Sequence, residues 1–239
     1  MIADLFIPCN IDQFYPHVAE NTLKVLRKAG VDVEYNPGQT CCGRFAYQGG
    51  YIDDAKELGD KFLNDFANGR PVVSPSSSCV AFVKKRYPEL FFNTANHLNF
   101  KKLVGNIYEL SDFLVNIMRF DDFGAEFPHK VTFHDNCNAL RVLGTGKEAR
   151  RLLSKVKGLE LIEMKQTDMC CGAEFDFMVN HKTLSDGMAS HKVRNALNTG
   201  AEYIVSTDMS CLTHQKFYID AQGLPIQVIH IADVLASGW

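Results

Sequence analysis

The chain has 239 residues, of which 46% are hydrophobic and 22% are charged, and it carries a formal net charge of −3 at pH 7. This composition argues against a disordered, collagen-like or coiled-coil protein, and the slightly acidic balance gives no electrostatic basis for binding nucleic acid. The apolar runs are too short to cross a bilayer and residues 1–10 do not read as a secretory signal, so we expect a cytoplasmic protein with no membrane span.

The predicted elements repeat along the chain. The first half predicts strands separated by helical stretches, at residues 2–8, 31–34 and 71–74, with a last strand and helix at 107–114. The second half predicts the same order at residues 131–136, 159–162, 201–206 and 228–235. Gly30 and Gly158 are predicted to end the helices before equivalent strands.

Strands that alternate with helices indicate βαβ units and a parallel sheet. We therefore predict an α/β fold with two pseudo-symmetric βαβ-type halves. Residues 1–119 are the predicted first repeat, residues 120–130 the linker and residues 131–239 the second repeat. Duplication favours packing of the halves about a pseudo-twofold axis.

Each half carries one C…CCG…C motif. In the first half 31 residues precede the CCG and 35 follow it, between the cysteines Cys9, Cys41, Cys42 and Cys79. In the second half the corresponding numbers are 32 and 38, between Cys137, Cys170, Cys171 and Cys211. Three of the four positions in each half follow a predicted strand, and the carboxyl ends of parallel strands meet at one sheet edge. We expect the cysteines of each half to converge there.

Four converging thiols indicate a metal site. A reducing compartment disfavours disulfides, and vicinal cysteines are poorly placed to bridge each other. Four thiolates from separate loops would saturate the irons of a [4Fe-4S] cluster, so we expect one cluster in each half. Zinc in one or both sites is the alternative, although zinc sites usually use CxxC pairs. Gly43 and Gly172 are expected to let the backbone approach the inorganic core.

The doubled motif resembles the cysteine-rich CCG domain of the iron–sulfur subunits of heterodisulfide reductases, glycolate oxidases and anaerobic glycerol-3-phosphate dehydrogenases. Over residues 1–236 the chain is similar to the lactate utilization protein A family, most clearly in residues 41–56, 72–79 and 230–235. The resemblance implies an iron–sulfur electron-transfer subunit of a multi-subunit system that oxidises L-lactate to pyruvate, with other iron–sulfur and accessory subunits as partners. Two alternatives stay open: a zinc-stabilised assembly module, and a subunit of a glycolate oxidase or heterodisulfide reductase-like complex.

The sequence departs from that family pattern at the end of each repeat, where a single cysteine replaces CxxC. The position of the absent cysteine, three residues before or after the one present, is occupied by Ser76 or Phe82 in the first half and by Asp208 or His214 in the second. Ser76, Asp208 and His214 are therefore candidate additional ligands. For His214 we favour a position on a helix surface over ligation.

Three further residues are candidates for supporting roles. His134 lies three residues before Cys137 and is predicted to tune the second site by hydrogen bonding, or to be structural. Arg44 and Arg141 are candidate anion-binding residues, with a structural role favoured for each. The sequence lacks the G-x-G-x-x-G fingerprint of dinucleotide binding, so we assign no catalytic residue and expect turnover only with partner subunits.

Overall fold

A computed structural model describes residues 1–239 and contains two four-stranded sheets in which every neighbouring pair of strands is parallel. The first sheet has the order β2-β1-β3-β4 and consists of β1 (Ile2–Leu5), β2 (Asp32–Glu34), β3 (Val72–Ser74) and β4 (Ile107–Glu109). The second repeats this order as β6-β5-β7-β8 and consists of β5 (Lys130–Phe133), β6 (Glu160–Leu161), β7 (Tyr203–Ser206) and β8 (Gln227–His230). The predicted α/β class with two parallel halves is confirmed.

Helices connect the strands in both halves. The first half contains α1 (Cys9–Phe14), α2 (Pro16–Lys28), α3 (Arg44–Gln48), α4 (Ile52–Phe66), α5 (Ser77–Phe91), α6 (His97–Asn106), α7 (Leu110–Asp112) and a π-helical segment at Phe113–Ile117. The second contains a π-helical segment at Ala139–Leu143, then α8 (Lys147–Leu153), α9 (Phe175–Asn180), α10 (Lys182–Leu197), α11 (Met209–Gln222) and α12 (Ile231–Leu235). None of these helices has both the length and the apolar character needed to cross a membrane.

The helix predicted to run up to Gly158 is shorter than expected. It ends at Leu153, five residues before Gly158, whereas the equivalent helix α2 continues to Lys28, two residues before Gly30, which has a left-handed φ of 79°. The reason is a competing contact, because the Lys157 amide donates to the carbonyl of Ala125 at 2.8 Å and the Lys157 carbonyl accepts from Phe127 at 3.0 Å. These bonds hold Lys157 in a strand-like bridge to Glu126, and residues 154–156 form turns rather than a continuation of the helix.

The two halves pack through reciprocal pairs of elements. The helix α1, which follows β1, contacts α11 in the other half, and the π-helical segment that follows β5 contacts α5. In the same way α2 contacts α12, and its counterpart α8 contacts α7. Each contact is repeated with the halves exchanged, which is the geometry of a pseudo-twofold axis.

One hydrophobic core is shared by both halves. Its 35 buried residues include Leu5 and Phe113 from the first half and Phe133 and Leu212 from the second. Phe123, from the predicted linker, belongs to the same core. A second core of 16 residues lies within the first half. The boundaries at residues 119 and 131 stay a prediction, but the packing couples the stability of the two halves.

Replacing Phe113 by alanine should lower the free energy of unfolding by about 3–5 kcal/mol, because its fully buried ring packs in the shared core. Urea denaturation followed by circular dichroism measures this cost. Phe14→Ala is the matched control: its ring is 74% exposed, and the change should stay within about 0.5 kcal/mol. Equal costs for the two variants would contradict the shared core.

Candidate functional site

The four cysteines of the first half meet at the carboxyl end of the first sheet. Cys9 begins α1 after β1, Cys41 and Cys42 lie in the loop after β2, and Cys79 lies in the first turn of α5 after β3. The Sγ atoms of Cys9 and Cys41 are 3.6 Å apart. The Cys42 thiol hydrogen-bonds to those of Cys41 and Cys79. The structure thus brings together all four thiols that the sequence assigns to this site.

The second half repeats this arrangement. Cys137 follows β5, Cys170 and Cys171 lie in the loop before α9, and Cys211 lies in the first turn of α11 after β7. The Cys137 thiol interacts with that of Cys170, and the Cys171 thiol interacts with that of Cys211 and with the His134 ring. All eight cysteines of the chain are free thiols. Their role as metal ligands stays a prediction.

Each site combines a buried pair of thiols with a half-exposed pair. Cys42 and Cys79 are buried while Cys9 and Cys41 are partly exposed, and the second half has the same division. Hydrogen bonds from Cys42 and Cys9 hold the pKa of Cys41 well below its usual range. The hydrogen bond from Cys137 lowers the pKa of Cys170 to about 6. The pKa values of Cys79 and Cys171 are also lowered, whereas those of the other two thiols in each site are raised by their thiol neighbours and by burial. Since the thiolate is the form that binds metal, two of the four thiols in each site are favoured in the ligand state.

The glycine of each CCG motif shapes its loop. Gly43 and Gly172 have left-handed φ angles of 88° and 82°, and their amides donate to the Sγ atoms of Cys41 and Cys170 at 3.4 Å. A Cβ atom at Gly43 would lie 2.9 Å from the carbonyl oxygen of Ala55 in α4. The missing side chain therefore makes room for the neighbouring helix, and the approach of this backbone to an inorganic core stays a prediction.

Ser76 and Asp208 occupy equivalent positions and bind each other at the pseudo-twofold axis. Ser76 caps α5: its hydroxyl accepts from the Cys79 amide at 3.2 Å and donates to Asp208 Oδ2 at 2.9 Å. Asp208 caps α11 through the Ser210 amide at 3.0 Å and also accepts from the Ser78 amide at 2.8 Å. Ligation by either residue stays a prediction, and it would have to compete with these capping bonds.

His214 is buried, so the favoured position on a helix surface is wrong. Its ring is 5% exposed because α10 packs over α11, and Nε2 lies 3.0 Å from the Ser185 hydroxyl. That hydroxyl donates to the Gly172 carbonyl at 2.9 Å. His214 thus connects α11 to the second CCG loop through Ser185.

Arg44 is buried between the halves, in contrast to Arg141. Its Nη2 donates to the Ser210 hydroxyl at 3.0 Å, while Nε has no hydrogen-bond partner. Burial lowers the pKa of Arg44, but the facing Cys79 and Asp208 leave it above its ordinary value. Arg44 also lines a polar pocket of about 170 Å³ with Lys85 and Arg86.

Arg141 is exposed and donates to the Asp168 carbonyl, outside this pocket. Anion binding by either arginine stays a prediction.

His134 lies inside the second site. Its side chain is fully buried, and one of its ring nitrogens lies in one group with the Sγ atoms of Cys171 and Cys211, all within 4.8 Å of one another. Neither ring nitrogen has a nitrogen or oxygen hydrogen-bond partner, and the ring interacts with the Cys171 thiol, whose pKa it helps to lower. The residue is therefore close enough to influence the thiols, and its role in tuning the second site stays a prediction.

Lys192 is a site residue that the sequence analysis missed. It is fully buried on α10, and its ammonium donates to the carbonyls of Gln166 and Thr167 at 2.7 and 2.9 Å. These bonds anchor the loop that leads into Cys170. The available signal was helical periodicity, since Lys192 shares the buried face of α10 with Ser185 and Ala189.

Two segments of the chain, residues 3–84 and 131–216, match the cysteine-rich CCG domain. Lactate utilization protein A of Geobacillus thermodenitrificans is 39% identical over 236 residues, which cover 98% of both chains. The protein of that name from Bacillus subtilis is 37% identical over 238 residues, which cover 99% of this chain and 100% of its own.

The chain belongs to the lactate utilization protein A family. The resemblance noted in the sequence is thereby confirmed. The fold also matches the crystal structure of a hypothetical protein from Helicobacter pylori, with a TM-score of 0.70 at 11% identity. That match covers 100% of this chain and 49% of the other, so this member of the family spans about half of the matched structure, and the likeness concerns the fold alone.

Glu109 ends β4 at the same sheet edge as the first site and is held neutral by burial. Its Oε2 caps α7 by accepting from the amides of Ser111 and Asp112 at 3.0 and 3.3 Å, while Oε1 has no partner. Desolvation raises the pKa of Glu109 from 4.5 to about 8. Between pH 4.5 and about 8 the folded chain therefore retains a proton on Glu109 that the unfolded chain has lost.

The Glu109→Gln variant should therefore remove a pH dependence of stability. In the native chain the contribution of Glu109 to the free energy of unfolding is fully present below pH 4.5 and is lost as the pH rises through about 8. Urea denaturation of both proteins across this range measures the effect. We expect the difference in unfolding free energy to move in favour of the glutamine variant with rising pH, and a constant difference would show that Glu109 has an ordinary pKa.

Proposed function

We propose that each half binds an iron–sulfur cluster through its four cysteines, and that the chain transfers electrons within a multi-subunit system that oxidises L-lactate. The observation that carries this proposal is the convergence of two separate sets of four thiols at equivalent sheet edges. The lactate utilization protein A relatives support the assignment to lactate metabolism.

The donor set fits an anionic cluster. Four thiolates supply the ligands that a [4Fe-4S] cluster needs, and such clusters, when bound, carry out one-electron transfer. The amides of Gly43 and Gly172 donate to thiol sulfurs and would stabilise negative charge there. Cys79 and Cys211 lie in the first turns of α5 and α11, where the helix dipoles act in the same direction.

The rest of the chain holds these ligands in place. Lys192 anchors the loop before Cys170, and Ser185 with His214 fixes the loop after Cys171. Arg44 places a buried positive charge beside Cys79, which offsets part of the charge of a thiolate-bound cluster. Burial of one thiol pair in each half limits access of water, whereas the half-exposed pair faces outward, where an electron could be exchanged with a partner.

Replacing both cysteines of one CCG motif should remove about half of the bound iron. After anaerobic reconstitution with iron and sulfide, we expect Cys41→Ser/Cys42→Ser to keep the second site loaded. The matched variant Cys170→Ser/Cys171→Ser should keep the first. Iron, zinc and acid-labile sulfide are measured together, with circular dichroism to verify folding.

Loss of all iron from one folded double variant would contradict independent sites and favour a single shared one. A colourless protein that retains zinc instead of iron would overturn the iron–sulfur assignment and favour the assembly module.

The reconstituted chain alone should not oxidise L-lactate. Oxidation at C2 needs an organic acceptor or a positioned base, together with a cationic clamp for the carboxylate, and cysteine-bound clusters provide only one-electron chemistry. The measurement is anaerobic reduction of an artificial dye in the presence of L-lactate, with and without partner subunits. Sustained reduction without partners, abolished by Arg44→Ala or by Arg141→Ala, would place the substrate site on this chain.

A further inference from the structure

The second site contains a buried nitrogen donor directly beside its thiols. His134 is 0% exposed, and the 4.8 Å group that it forms with Cys171 and Cys211 is compact enough to surround one metal ion. A buried imidazole normally has a nitrogen or oxygen hydrogen-bond partner, and both nitrogens of His134 lack one, so the ring faces only the thiols of the site. A bound metal would satisfy one of them, since neutral imidazole is a common metal ligand.

The first site has no such donor. Phe6 lies three residues before Cys9, as His134 lies three residues before Cys137. The ring of Phe6 is fully buried and packs against Phe62, with ring centroids 4.7 Å apart. It belongs to the same apolar cluster as Cys42 and Cys79. The internal duplication therefore puts an apolar ring in one half where the other half has an imidazole.

The other candidates for an additional ligand in the second half already have partners. Asp208 caps α11 and accepts bonds from Ser76 and Ser78. His214 is engaged with Ser185 through Nε2. His134 is thus the candidate whose buried polar atoms face only the thiols of the site.

We propose that His134 is a direct ligand in the second site, which then has a mixed imidazole and thiolate donor set, while the first site is all-thiolate. This inference rests on the proposed function only in requiring that a metal or cluster binds in the second half. A neutral imidazole adds a ligand without adding negative charge, so the two sites of one chain differ in donor set and in electronic character while each has four thiolates.

The test uses the Cys41→Ser/Cys42→Ser protein, in which the second site alone is loaded. After reconstitution with iron and sulfide and reduction, pulsed electron paramagnetic resonance should detect a strongly coupled nitrogen. The coupling should change from the ¹⁴N to the ¹⁵N pattern when histidine is labelled. It should be lost in His134→Phe, which copies Phe6, and kept in the matched control His214→Gln.

Each other result is decisive. A loaded second cluster without nitrogen coupling, or a coupling that persists in His134→Phe, overturns the proposal and leaves the proposed function standing. If the site takes zinc instead, X-ray absorption that shows nitrogen beside sulfur supports His134 while the iron–sulfur assignment fails. If no metal binds in the second half, both fail. Should His134→Phe not fold, the labelled parent protein and His214→Gln still distinguish a nitrogen-containing site from an all-sulfur one.

Discussion

The structure depends on one buried carboxylate that ties the two halves together. Asp208 accepts hydrogen bonds from its own helix α11 and from the hydroxyl of Ser76 and the amide of Ser78 at the start of α5. These are the two helices whose first turns carry Cys79 and Cys211. The positions of the Cys79 and Cys211 thiols are thereby fixed relative to the other half as well as to their own sheet.

A charge in this position is tolerable because its surroundings satisfy it. A buried carboxylate without partners would be costly, but here two helix N-termini and the guanidinium of Arg44 face it. Arg44 donates to Ser210, which follows Asp208 by two residues, and so crosses from the first CCG loop to the second half. The region between the sites is therefore a network of opposite charges rather than an extension of the apolar core.

The sequence was sufficient for features that follow from local patterns. The doubled cysteine spacing and the alternation of strands and helices predicted two parallel sheets with thiols at their carboxyl edges, because that edge is where loops of such sheets must meet. Features that depend on the other half or on a covering helix were not predictable. The burial of His214 under α10 and the contact of Arg44 with Ser210 need tertiary packing, and the early end of α8 needs the strand-like contact with Ala125.

The pairing of Ser76 with Asp208 also bears on how such a molecule could be assembled from separate pieces. These residues are equivalent, three positions before Cys79 and Cys211, and they meet at the axis. A homodimer of either half would place two identical side chains there, either two buried carboxylates that repel each other or two hydroxyls with no acid between the helix ends. Two halves of different sequence, joined here in one chain, can put the acid on one side and the hydroxyl on the other, and the same freedom lets Phe6 and His134 differ.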